Sequence, residues 1–98
     1  MKFARNVRFQ IKNGKEKEFT TMFENDGIPT LRKQKGFQDE LTLVIGNRGM
    51  GISLWDNRDS AESYQASAFP RIVEKLVPVI EGTPHVENYD VAMTTLRA

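Results

Sequence analysis

The sequence predicts an α+β fold in which four strands and two helical regions follow one another in the order βαββαβ. Three observations carry this reading. Residues 3 to 12 alternate between apolar and polar side chains, the two-residue period of a half-buried strand. Two later stretches place apolar residues three and four apart, as amphipathic helices do. At Trp55 the chain passes directly from the first period to the second, so one element ends and another begins there.

The first strand sets Phe3, Val7, Phe9 and Ile11 on one side and Ala4, Asn6, Arg8, Gln10 and Lys12 on the other. Arg5 is a charged exception on the apolar side. Asn13, with Glu16 three residues on, has capping-box spacing and predicts a helix start. Phe19, Met22 and Phe23 form that helix's apolar stripe. Gly27-Ile28-Pro29 predicts an interruption, because Pro29 lacks an amide donor and restricts Ile28. A short turn carrying Leu31 follows, closed by Gly36.

Phe37 to Ile45 reads as the second strand, with Leu41, Leu43 and Ile45 on one face. The segment Gly46-Asn47-Arg48-Gly49 has hairpin chemistry, which makes Met50 to Trp55 a third strand antiparallel to the second. Asn57 is placed to cap the next helix, whose Ala61, Tyr64 and Ala68 turn inward. Pro70 breaks or restarts it, and Phe69, Ile72, Val73, Leu76 and Ile80 give the continuation its apolar side. Gly82-Thr83-Pro84 ends the helical region. Val86 to Leu96 then predicts the last strand, with Tyr89, Val91 and Met93 on one face.

Two right-handed crossovers turn this order into a ferredoxin-like four-stranded antiparallel sheet with the helices on one face. The helices are expected to cover the apolar strand faces. The opposite face would carry Asn6, Arg8, Thr42, Val44, Ser53 and Trp55, a surface too apolar to stay bare. A second copy packing sheet to sheet would cover it and enclose a pocket, so a homodimer is expected.

Composition narrows the function. Ninety-eight residues make one domain, residues 1–98. A net charge of +1 from 14 basic and 13 acidic residues, with no basic run beyond pairs such as Lys33 and Lys35, argues against a nucleic-acid surface. The absence of cysteine excludes disulfides, thiol catalysis and thiolate metal sites together. The first residues lack the apolar stretch of a leader peptide, and no apolar run approaches the roughly 20 residues that span a bilayer. A cytoplasmic protein with no membrane partner is the expectation.

The pattern resembles the antibiotic biosynthesis monooxygenase family of dimeric α+β barrels. The residues that carry the likeness are Val7-Arg8-Phe9-Gln10-Ile11, the helix ending at Gly27-Ile28 with Leu31, Gly36-Phe37, and Leu54-Trp55 running into Ser60-Ala61-Glu62-Ser63-Tyr64. The resemblance spans almost the whole chain. It implies a homodimer with a pocket between sheet and helices, and members include cofactor-free oxygenases of aromatic compounds, quinol oxygenases and haem-degrading enzymes. Haem degradation in that family needs a strand asparagine, a helical tryptophan and a histidine ligand. Asn6 matches the first, but Tyr64 and Glu74 stand where the other two would fall, and a glutamate is a poor substitute for imidazole on iron.

Asn6 and Arg8 share the polar side of the first strand, where an amide and a guanidinium could hold a substrate carbonyl and a developing anion. Solvated or interface residues would look the same. Tyr64 completes the expected catalytic set as a hydroxyl donor, against the reading of a core tyrosine. Trp55 could stack on an aromatic substrate or lock the strand end, and Thr42 and Ser53 are expected substrate contacts. His85, the single histidine, lies at a loop exit and reads as a surface residue. Asp39 and Glu40 are strand neighbours on opposite faces and cannot form a dyad. Gly46, Gly49 and Gly51 belong to a hairpin, since no helix follows to make a phosphate loop.

No residue set calls for a metal or a bound cofactor. The resemblance implies a cofactor-independent monooxygenase acting on a small planar aromatic or quinone-type molecule. The alternatives are a non-catalytic dimeric small-molecule-binding or accessory protein and, in third place, an isomerase or decarboxylase. Fold alone does not choose among them.

Overall fold

In the computed structural model, which describes residues 1–96, the first alternating stretch becomes β1 (Phe3–Ile11). α1 (Glu16–Met22), a π-helical turn (Phe23–Gly27) and α2 (Ile28–Arg32) follow without a break. Next come β2 (Phe37–Ile45), β3 (Arg48–Trp55), α3 (Arg58–Ser67), α4 (Phe69–Leu76) and β4 (Ile80–Asp90). The sheet order is β2-β3-β1-β4, antiparallel throughout, which is the ferredoxin-like arrangement. Among the described residues, no helix is long and apolar enough to cross a membrane.

Pro29 does not stop the first helical region. It sits in the opening positions of α2, where a missing N–H costs little, and the wider π turn before it absorbs the change of winding. The expected Asn13 cap is displaced. The Lys15 amide donates to the Lys12 carbonyl at 2.9 Å, closing a turn over Asn13–Gly14, so Lys15 caps α1 and Glu16 is its first residue. Asn57 caps α3 as expected, its side chain accepting from the Ser60 amide at 2.9 Å.

β4 begins six residues earlier than the sequence predicts and ends at Asp90 rather than Leu96. Gly82 and Pro84 look like terminators, yet they fall where the β1–β4 register slips between Arg8 and Gln10. Gly82 takes φ +67 there, and Pro84 needs no ladder donor inside the bulge. The hairpin is also tighter than expected, β3 starting at Arg48.

The sides of β2 and β3 are the main correction. Phe37 pairs with Trp55 but Asp39 pairs with Leu54, so Gln38 is an extra residue in β2. One inserted residue reverses the facing of everything after it. Glu40 and Thr42 therefore turn toward the helices, while Leu41, Leu43 and Ile45 face outward, 51%, 46% and 70% exposed. On β3 the inward residues are Ser53 and Trp55, and Ile52 and Leu54 lie on the outer side. Trp55 decides this facing. It is fully buried against Phe37 and Tyr64, with ring centroids 5.6 and 5.0 Å away.

Candidate active site

Three cross-strand rows floor the space beneath the helices. Phe3, Trp55 and Phe37 make one row, Arg5, Ser53 and Glu40 the next, and Val7, Gly51 and Thr42 the third. The first row packs with Leu31, Ala61, Tyr64 and Ile72 as core. Over the second and third rows the packing opens into a cavity of about 50 Å3, walled by Phe9, Phe19, Phe23, Phe69, Ile72 and Leu76. A cleft of about 450 Å3 at the β2 edge shares Phe19, Phe23, Glu40 and Thr42 with it. Glu40 and Thr42 thus stand where the enclosed space meets the open one.

Two charged groups occupy this apolar floor. Arg5 is only 2% exposed. Its guanidinium lies 5.0 Å from the Tyr64 ring centroid and 4.5 Å from that of Phe69, and it donates to the Gln65 side chain. Its Nε has no protein acceptor. Burial lowers the Arg5 pKa, offset in part by the Tyr64 and Glu40 charges. A buried donor left unpaired is costly, and a ligand oxygen would relieve it.

Glu40 faces Arg5 across the small Ser53. Burial pushes its carboxyl up to about 7, against the opposing effects of the Thr42 hydrogen bond and the Arg5 charge. The Thr42 hydroxyl donates to Glu40 Oε2 at 2.8 Å and fixes the carboxylate's direction. Gly51 makes room for it: a Cβ there would lie 3.0 Å from the same oxygen. Burial also pushes the Tyr64 hydroxyl up to about 12, so it keeps its proton near neutrality. The floor therefore holds a carboxyl that exchanges a proton near pH 7, a fixed cation and a neutral hydroxyl, which is the equipment for taking a proton and holding the anion left behind.

The structure divides the residues singled out from the sequence. Tyr64, Thr42 and Ser53 line the inner cavity. Trp55 lies one row behind it, donating from its indole nitrogen to Ser53 Oγ at 2.9 Å, and Ser53 is thereby engaged in holding the ring. Asn6 and Arg8 point to the other side of the sheet, paired in register with Ile52 and Met50. There Arg8 makes an exposed 3.0 Å ion pair with Glu87. They do not share a space with Tyr64. His85 is exposed on that outer side, 3.9 Å from Glu87. Asp39 and Glu40 do face opposite ways, as expected.

Sequence reasoning passed over the two central groups. Arg5 carried a signal, a charge in a row of inward apolar residues. Glu40 carried none, because the bulge at Gln38 that turns it inward has no mark in the residue types. Among the described residues, no group of three or more His, Asp or Glu side chains converges in a way that could hold a metal ion.

The chain is similar to SnoaB, a cofactor-independent oxygenase from Streptomyces nogalater, at 18% sequence identity over 98% of each chain with a TM-score of 0.79. It is also similar to NE2512, a protein of unknown function from Nitrosomonas europaea, at 16% identity over 99% of this chain and 95% of that one, TM-score 0.81. A candidate antibiotic biosynthesis monooxygenase from Bordetella bronchiseptica matches at 12% identity over 94% of this chain and 98% of that one, TM-score 0.79. No protein-family model and no curated protein matches the sequence. At these identities the likeness is one of fold. The four-stranded sheet and its helical layer are thus the fold that SnoaB and these other structures share.

Proposed function

We propose that the chain is a cofactor-independent monooxygenase that binds a small planar aromatic or quinone-type molecule in the β2-edge cleft, with its reacting end reaching the inner cavity at Glu40, and removes a proton from it. The observation that carries this is the Glu40 carboxyl, at about 7, facing the buried Arg5 guanidinium over an apolar floor. Glu40 takes the proton from an activated C–H or O–H group. Arg5 Nε donates to the oxygen on which charge develops, and the protonated Tyr64 is a second donor. The aromatic walls keep water from the anion.

Molecular oxygen then reacts with the bound anion. The substrate supplies all the electrons: a CH2 group becomes a carbonyl, one oxygen atom stays, and the other leaves as water with both hydrogens. No external reductant is consumed. The shared fold with an oxygenase supports the direction of this reading, and the Glu40–Arg5 pair supports its chemistry.

We also infer that two copies pair through the outer sheet face. Leu41, Leu43 and Ile45 together form an exposed apolar surface with Tyr89 on the same side. Asn6 and Arg8 are assigned to this face and not to proton transfer.

The test is a thermal-shift screen with phenols, hydroxyquinones and aromatic ketones, followed by oxygen-uptake assays on the hits. Wild-type protein should consume oxygen with at least one hit. Glu40→Gln should keep ligand binding while losing about 100-fold or more in rate. Binding with no oxygen uptake by the wild type would replace this reading with that of a small-molecule-binding protein.

A further inference from the structure

A second recess, of about 290 Å3, lies between the π turn with α2 on one side and α4 on the other. Its floor is apolar, because Phe23, Ile72 and Leu76 border both this groove and the inner cavity. Its rim is basic. Arg71 and Lys75 are four residues apart on α4 and so share one face of that helix, and Lys33 stands at the end of α2 across the groove.

All three cations are exposed, and among the described residues none of them makes an ion pair. Asp26 is the one carboxylate among the groove residues. The neutral polar groups between them are already engaged. Thr30 Oγ1 donates to the Asp26 carbonyl at 2.7 Å, and Gln34 Nε2 donates to the Thr30 carbonyl at 3.0 Å. Lysines on a convex helix face spread their field into water. Here a concave, low-dielectric floor gathers three positive charges over one apolar patch, and the fold makes no internal use of them.

We propose that this groove binds a small amphipathic organic anion. A flat apolar body rests on Phe23, Ile72 and Leu76, and its carboxylate or sulfonate sits among Lys33, Arg71 and Lys75. The site goes beyond the oxygenase reading and does not depend on Glu40 or Arg5.

Two fluorescent probes with the same rings separate charge from apolar contact: 1-anilinonaphthalene-8-sulfonate and the uncharged N-phenyl-1-naphthylamine. At low salt the sulfonate should bind about tenfold tighter than its neutral analogue. The triple variant K33Q/R71Q/K75Q should abolish that advantage while leaving the neutral probe's affinity unchanged. Lys75→Gln alone, at an exposed position, should reduce the advantage about threefold, and salt of about 0.5 M should mimic the triple variant. Equal affinity for the two probes in wild-type protein would overturn the proposal. So would a sulfonate advantage that survives the triple variant, since the anion would then be held elsewhere.

Discussion

The two sides of this sheet are built from the same strands and have opposite characters. The helix-covered side carries Arg5, Ser53, Glu40 and Thr42 in the middle of an aromatic enclosure. The open side carries Leu41, Leu43 and Ile45 with no cover from the chain itself. A reading by polarity alone assigns them the other way round, apolar residues under the helices and polar ones outside. Facing is set by register, and register by one extra residue at Gln38. Buried polarity on the inner side is a cost the fold accepts, which is where chemistry is to be expected.

Deleting Gln38 is the sharpest way to break this contrast. Without the bulge, Glu40 would turn outward and Leu41 and Leu43 inward, against helices packed for the existing arrangement. The expected loss is on the order of 3 kcal/mol or more of unfolding free energy, read from urea denaturation. A variant as stable as the parent would mean that the bulge does not set the facing.

Charge on the outer side should act on assembly and leave the inner side alone. Leu43→Asp would place a carboxylate in the centre of the proposed subunit contact, costing several kcal/mol of association. Light scattering should give twice the 11.2 kDa chain mass for the wild type and a single chain mass for the variant. A wild-type monomer at micromolar concentration would remove the pairing.

A smaller effect is expected on stability against pH. Folding raises the Glu40 pKa from 4.5 to about 7, so the folded state holds this proton more tightly than the unfolded one. Its contribution to stability is complete below about 4.5 and is lost as pH rises through 7. Glu40→Gln cannot ionise. Relative to wild type it should therefore gain roughly 1–3 kcal/mol between pH 5 and 8. A constant difference over that range would place Glu40 in water.

The order of elements was legible because periodicity survives local irregularity. β1, the Asn57 cap and the restart at Pro70 follow directly from residue types. What failed was parity and termini. Gln38 has no property that marks it as a bulge, and Gly82-Thr83-Pro84 reads as a stop because glycine and proline usually are one. In β4 they sit in an unpaired stretch where neither an L side chain nor an amide donor is needed. The site suffered from the same error. Tyr64 was reached by helical spacing, Thr42 and Ser53 were expected on the opposite face, and Glu40 was lost because its side depends on a single insertion seven strand residues before the hairpin.

The decisive measurement is the ionisation of Glu40 in the folded chain. In a side-chain carbon NMR titration, one glutamate carboxyl should titrate near pH 7, and that resonance should vanish in Glu40→Gln. Glutamates that all titrate in the ordinary range, below about 5, would contradict the account, since Glu40 would then be neither enclosed nor matched to proton transfer near neutrality.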